Sequence, residues 1–153
     1  MNRLMLLFLL LPGVSSAAVT LDKVDVFTVD GLLYEMESAR LSKQLNVPVN
    51  VRQIDTIYKL EMNLSAGLPG NEADAAPIAA DRISKLSKQM VLRTYSTAAE
   101  SLTLARTIGV DKVPAVVFNE KWIVYGVDPL QAYTIFEGMN NRGELAGMSR
   151  GQK

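Results

Sequence analysis

The stretch Ala105-Arg-Thr-Ile-Gly-Val-Asp-Lys-Val-Pro-Ala-Val-Val-Phe118 decides how this chain is read. A helical stripe of Ala98, Leu102, Ala105 and Ile108 stops at Gly109, the residue type that caps helix C-termini. A short loop follows, and Pro114 opens the apolar strand Ala115–Phe118. Proline has no N–H to give a ladder, so it belongs at a strand's start or on an edge. Asn119-Glu120-Lys121 turns the chain, although glycine would ease a positive φ there, and Trp122–Tyr125 returns as the second arm of a hairpin. Strand alternation sends Trp122 and Tyr125 to opposite faces. After Gly126, Asp128 caps a last helix, with Pro129 at its first position and Gln131 three residues past the cap. Ala132, Ile135, Phe136 and Met139 form its apolar face, and residues 141–153 read as a flexible tail rich in polar residues.

Working outward towards the N-terminus, Lys23–Val29 alternates. Val24, Val26 and Thr28 share one face, and Asp25, Phe27 and Val29 share the other, so both faces should be partly buried. Asp30-Gly31 turns into a helix over Leu32–Leu45, with Leu32, Met36 and Ala39 at helical spacing. Val47, Val49 and Val51 then mark a second strand, giving a βαβ unit with parallel strands. Asp55 or Thr56 can cap the next helix, whose stripe is Ile57, Leu60 and Leu64, and Gly67 with Pro69 ends it. A long helical region follows the polar link at 70–74. Ala76, Ala79, Ala80, Ile83, Leu86 and Met90 share one face there, and Asp81, Arg82, Lys85 and Lys88 face water. The stripe changes phase around Tyr95-Ser96-Thr97, which leaves open whether residues 75–108 are one kinked helix or two. The order is β-α-β-α-α-β-β-α, an α/β fold with a central mixed sheet in the thioredoxin-like arrangement, spanning residues 18–140.

The first residues carry a different signal. Arg3 precedes the uninterrupted apolar run Leu4–Leu11; Pro12-Gly13 breaks it, and the small residues Ser15-Ser16-Ala17-Ala18 follow. This is the layout of a cleavable secretory signal peptide over residues 1–17, cut after Ala17 or Ala18. The run is too short for a membrane span, which needs about 20 apolar residues. The expected compartment is the periplasm. The chain balances 16 basic against 16 acidic residues, scattered without a basic block, so electrostatic binding to nucleic acid has no support.

Three blocks carry a family resemblance: Leu64-Ser-Ala-Gly-Leu-Pro69, the helical run holding Ala79 and Arg82, and Val113-Pro-Ala-Val-Val-Phe118 continuing to Trp122-Ile-Val-Tyr-Gly126. Over roughly residues 23–137 the chain resembles the small exported thioredoxin-like proteins of integrating conjugative elements. These are similar to the pilus-assembly proteins of F-type conjugation systems. The resemblance implies a cis Val113–Pro114 bond in a loop opposite the start of the first helix. It also implies a role in assembling a type IV secretion channel or pilus through protein partners.

The residue inventory bounds the chemistry. With no cysteine, the chain has no Cys-X-X-Cys at Asp30–Leu33, where a redox thioredoxin carries it, and disulfide exchange is excluded. With no histidine, the commonest general base and metal ligand is missing too. No phosphate loop or nucleophile elbow is present. The close carboxylates Glu35/Glu37 and Glu72/Asp74 point apart on a helix and read as solvated surface. Asn63-Leu-Ser65 fits a glycosylation sequon but lies in a helix. The reading therefore names no catalytic residue, no metal and no cofactor. It expects a non-enzymatic binding protein in which Val113 and Pro114, facing Asp30, Gly31 and Leu32, hold a partner's extended segment by strand pairing. A general periplasmic chaperone or peptide-binding module outside conjugation is the alternative.

Overall fold

The computed structural model describes residues 18–29 and 31–148. The elements run β1 (Val24–Thr28), α1 (Gly31–Leu45), β2 (Val49–Gln53), α2 (Thr56–Ser65), α3 (Glu72–Ser84), α4 (Lys88–Ile108), β3 (Ala115–Phe118), β4 (Trp122–Tyr125), α5 (Pro129–Asn141) and α6 (Glu144–Met148). The four strands form one mixed sheet in the order β2-β1-β3-β4. β1 pairs parallel with β2, Val26 facing Val51, and antiparallel with β3, Val26 facing Val116; β3 and β4 close the hairpin. Its turn holds Asn119 and Glu120 at φ 50° and 56°, without glycine at either position. Asn119 does more than turn the chain: its side chain accepts from Asp22 N–H at 2.8 Å and donates to Thr20 O at 2.7 Å. Asn140 holds Val19 in the same two-way manner, so the entering segment is tied to the domain at both asparagines.

Apolar side chains cover both faces of the sheet. On one, Val24, Val26, Val116 and Phe118 pack against Ala132 and Phe136 of α5, and Phe118 stacks on Phe136 at 4.4 Å. On the other, Phe27, Ala115 and Val117 pack against Ala105 of α4. Trp122 and Tyr125 do take opposite faces, one packed on each core. Because both faces are covered, every residue of β1 is buried, more than the partial burial expected of it. Asp25 goes inside with the rest and is paired with Arg52 Nε at 2.6 Å, with Lys23 Nζ 3.7 Å away.

Several expectations are corrected. In α1 Gly31, Ser38 and Leu41 are buried, while Met36 is 68% exposed and Ala39 is exposed. A helix face can bury a small serine, which a count of apolar residues passes over. Neither Asp55 nor Thr56 caps α2 by its side chain; Asp55 instead pairs with Lys59 at 3.1 Å. Arg82 does not face water. Its guanidinium donates to Leu64 O and Ala66 O, both at 2.7 Å, satisfying carbonyls that the end of α2 leaves open.

The break in the long helical region falls at residues 85–87, not at Tyr95–Thr97. Ser87 leaves the helical conformation and its side chain accepts from Met90 N–H, starting α4 afresh. Ser96 bonds back to Arg93 O and keeps its place within α4. The stripe expected to be buried there is largely open, with Ile83 and Met90 each more than half exposed. Within the stretch read as a tail the chain forms a further helix. Gly143 turns at φ 71°, α6 follows, and Leu145 is 1% exposed against the α5 core. The leader read over residues 1–17, the tail beyond Met148 and Asp30 lie outside the described residues. No helix among the described residues is long and apolar enough to cross a membrane.

Candidate functional site

The loop that leads to Pro114 is set by the end of α4. Gly109 adopts φ 88°, a left-handed conformation open to glycine at little cost. Its N–H bonds Arg106 O, and Val110 N–H bonds Ala105 O at 2.8 Å, the paired bonds of a Schellman cap. The chain reverses, and Asp111 and Lys112 carry it to Val113 and a cis peptide bond at Pro114. Tyr125 braces the loop from β4. Its hydroxyl donates to Gly109 O and accepts from Asp111 N–H, both at 3.4 Å, while Lys112 Nζ lies 5.6 Å over its ring. Burial pushes the Tyr125 phenol above its ordinary range, and the Asp111 carboxylate adds to the effect, so the ring stays neutral in mild alkali.

The antiparallel register pairs Phe27 with Ala115, so Thr28 and Val29 lead towards Pro114 and Val113 at the same end of the sheet. α1 starts at Gly31, so Gly31 and the Leu32 backbone share this end of the sheet with Val113 and Pro114. Gly31 is buried there, and the Gln53 side chain occupies the space a Cβ would need: an added methyl would lie 1.9 Å from Gln53 Nε2. Of Leu32 only the backbone is described.

Pro114 O is taken by Gly126 N–H at 2.9 Å, which anchors the loop to the hairpin. Val113 is different. Among the described residues, no hydrogen bond engages its N–H or its C=O. With Ile54, Leu102 and Ala105 it lines an open cavity of about 470 Å³, to which Arg106, Asp111 and Lys112 bring charged side chains. Val29 is 46% exposed, and its carbonyl accepts from Lys59 Nζ. Ile54, Leu102, Arg106 and Lys59 are not among the site residues the sequence points to. Leu102 sits on a stripe that reads as core, and only the packing of α4 on the sheet leaves it 44% exposed.

This arrangement offers main-chain donors and acceptors beside apolar side chains and the charged groups of Arg106, Asp111 and Lys112. Among the described residues no group of three or more acidic side chains could hold a metal ion. The family described as protein of unknown function (DUF1525) matches residues 34–139, more than half of the chain. The chain belongs to this family. The match runs from within α1 to within α5, so this DUF1525 protein shares with the family the region of Val113 and Pro114, while β1 and residues 30–32 lie outside it. No curated protein and no solved structure matches the chain.

Proposed function

We propose that this DUF1525 protein is an exported, non-catalytic component of conjugative transfer, a thioredoxin-like domain that aids assembly of a type IV secretion channel or pilus by holding an extended segment of a partner protein. The observation that carries the binding half is Val113, whose N–H and C=O are unengaged among the described residues and which lines the cavity with Ile54, Leu102 and Ala105. An extended segment can pair with those groups and place one apolar side chain in the cavity, which is how sheet-edge peptide recognition combines affinity with selectivity. The mixed sheet with its helices on both faces, the Val113–Pro114 loop and the lack of cysteine favour a thioredoxin-like scaffold kept for binding alone. The conjugation half rests on the resemblance of residues 23–137 to exported proteins of integrating conjugative elements. Fold by itself does not fix a process. Periplasmic location rests on the basic, apolar and small-residue layout of residues 1–17.

The test is transfer frequency of the host element from a donor carrying an in-frame deletion of this gene. Transfer should collapse and be restored by wild type, but not by Pro114→Ala or by Leu102→Asp, the second being a change at an exposed position that leaves the core intact. Undiminished transfer overturns the conjugation reading in favour of a general periplasmic binding module. Full rescue by both variants overturns the groove. Recovery of the protein in the cytoplasmic fraction with Met1 retained overturns export.

A further inference from the structure

The sheet ends at β2, and that edge carries the features of a strand-pairing site. Val24 N–H bonds Pro48 O at 2.9 Å and Ile54 N–H bonds Thr28 O at 3.1 Å. In a parallel ladder the bonding groups alternate along the strand. With Val24 level with Val49 and Val26 level with Val51, residues 48, 50, 52 and 54 turn their backbone groups to β1. Val49, Val51 and Gln53 turn theirs outward. Among the described residues no hydrogen bond engages the N–H or C=O of Val49 or Val51, and only the Thr56 hydroxyl reaches Gln53 O, at 3.3 Å. The edge has no lysine and no bulge, two of the devices that keep strands from pairing, and Pro48 and Arg52 turn their backbone groups to β1. Beside it lies an open cleft lined by Ser38, Ala39, Val49 and Val51. Ser38 is 2% exposed, and its hydroxyl has no hydrogen-bond partner.

The charges around the edge select its occupant. Glu35 lies beside Val51 and Gln53, and Lys43 lies in the cleft with Val49, because α1 runs back along β2. Glu35, Ala39 and Lys43 are exposed and spaced four residues apart, so they form one stripe, acidic at one end, basic at the other, with a methyl group at its centre. Arg93 of α4 lines the same cleft as Glu35 at the Gln53 end of the edge. A twofold axis through Val51 turns the α1 stripe end for end, so its acidic end meets the basic end of an identical chain. An isologous contact requires this self-complementarity.

We propose that the protein forms a homodimer by antiparallel pairing of β2 with β2 of a second copy, joining the two sheets into one. Val51 lies opposite Val51, Glu35 opposite Lys43 of the second copy, and the two Ala39 methyl groups let the helices approach. This surface is separate from the Val113 groove and stands or falls without it.

Sedimentation velocity on the purified protein across a micromolar dilution series tests it. The protein should sediment as a dimer that dissociates on dilution. Val51→Pro removes an outward N–H and no bond to β1, and it should give a monomer. Because proline in a strand can disturb folding, two charge reversals on the exposed face of α1 supply the fold-independent check. Glu35→Lys or Lys43→Glu alone should weaken the dimer about tenfold, and the double variant should restore it. A monomer at every concentration overturns the proposal. So does a dimer indifferent to both single charge reversals.

Discussion

At the residue scale the most consequential pair is Asp25 with Arg52. Asp25 is fully buried in β1, and its Oδ2 makes no hydrogen bond, so its charge leans on the Arg52 guanidinium at 2.6 Å. Removing one member of such a pair leaves an uncompensated charge, which costs more than the intact pair contributes. Arg52→Met should lower stability by about 2 kcal/mol, less than for a wholly enclosed pair because the Arg52 side chain is 23% exposed and Lys23 stands close by. Asp25→Leu combined with Arg52→Met should cost far less than the sum of the two single changes. Urea unfolding of the four proteins measures this as a double-mutant cycle. Additive losses would show that Arg52 does not neutralise Asp25. The sequence places Asp25 correctly on the Phe27 face of its strand, but not its burial. A carboxylate in an alternating strand reads as solvent-facing unless its partner is known, and Arg52 is brought to it only by the parallel register of β2.

At the element scale α6 is the piece that local pattern missed. Glu144–Met148 is too short to declare itself by periodicity, and the glycines around it read as tail. Its apolar anchor is Leu145, packed against the core of α5 and the sheet. Leu145→Ala should lower stability by about 2–4 kcal/mol, as for other fully buried leucines, and deletion of residues 144–153 should do at least as much. Thermal unfolding checks both; unchanged midpoints would return α6 to the tail. The break between α3 and α4 has the same lesson in reverse. Periodicity located a phase change at Tyr95–Thr97, yet a helix can shift its buried face without breaking. What ends a helix is an alternative partner for its backbone groups, which here is the Ser87 side chain.

At the scale of the whole molecule, the absence of histidine and cysteine leaves no side chain with an ordinary pKa between the carboxylates and the alkaline groups. Stability should therefore be nearly flat from about pH 6 to 9. Above that window it should fall. The Glu120 hydrogen bond holds the Lys23 ammonium above its ordinary range, and burial does the same to the Tyr125 and Tyr133 phenols. Folding therefore favours the protonated forms of all three, a contribution complete below their unfolded values and lost as pH rises through the folded ones. On the acid side Arg142 holds Glu144 below its usual range, so that contribution disappears as pH falls through the lowered value. Unfolding midpoints measured across pH should show this plateau, and a maximum or step near pH 6–7 would contradict it.

The sequence by itself determined the order of the four strands and of α1, α2 and α5, the Gly109 cap, the Asp128 cap and the hairpin, but neither the division of α3 from α4 nor α6, because each of the former rests on short-range chemistry: a period, a missing N–H, a side chain that reaches its own backbone. It also excluded thiol chemistry by composition. Only the tertiary structure decided which faces are covered, that Asp25 is inside, that Arg82 closes the end of α2, and that Val113 and the outer edge of β2 keep their hydrogen-bonding groups open. Those outcomes depend on residues distant in the chain meeting across the sheet. A residue's own neighbours in sequence say what it can bond to, but not whether anything arrives to take the bond.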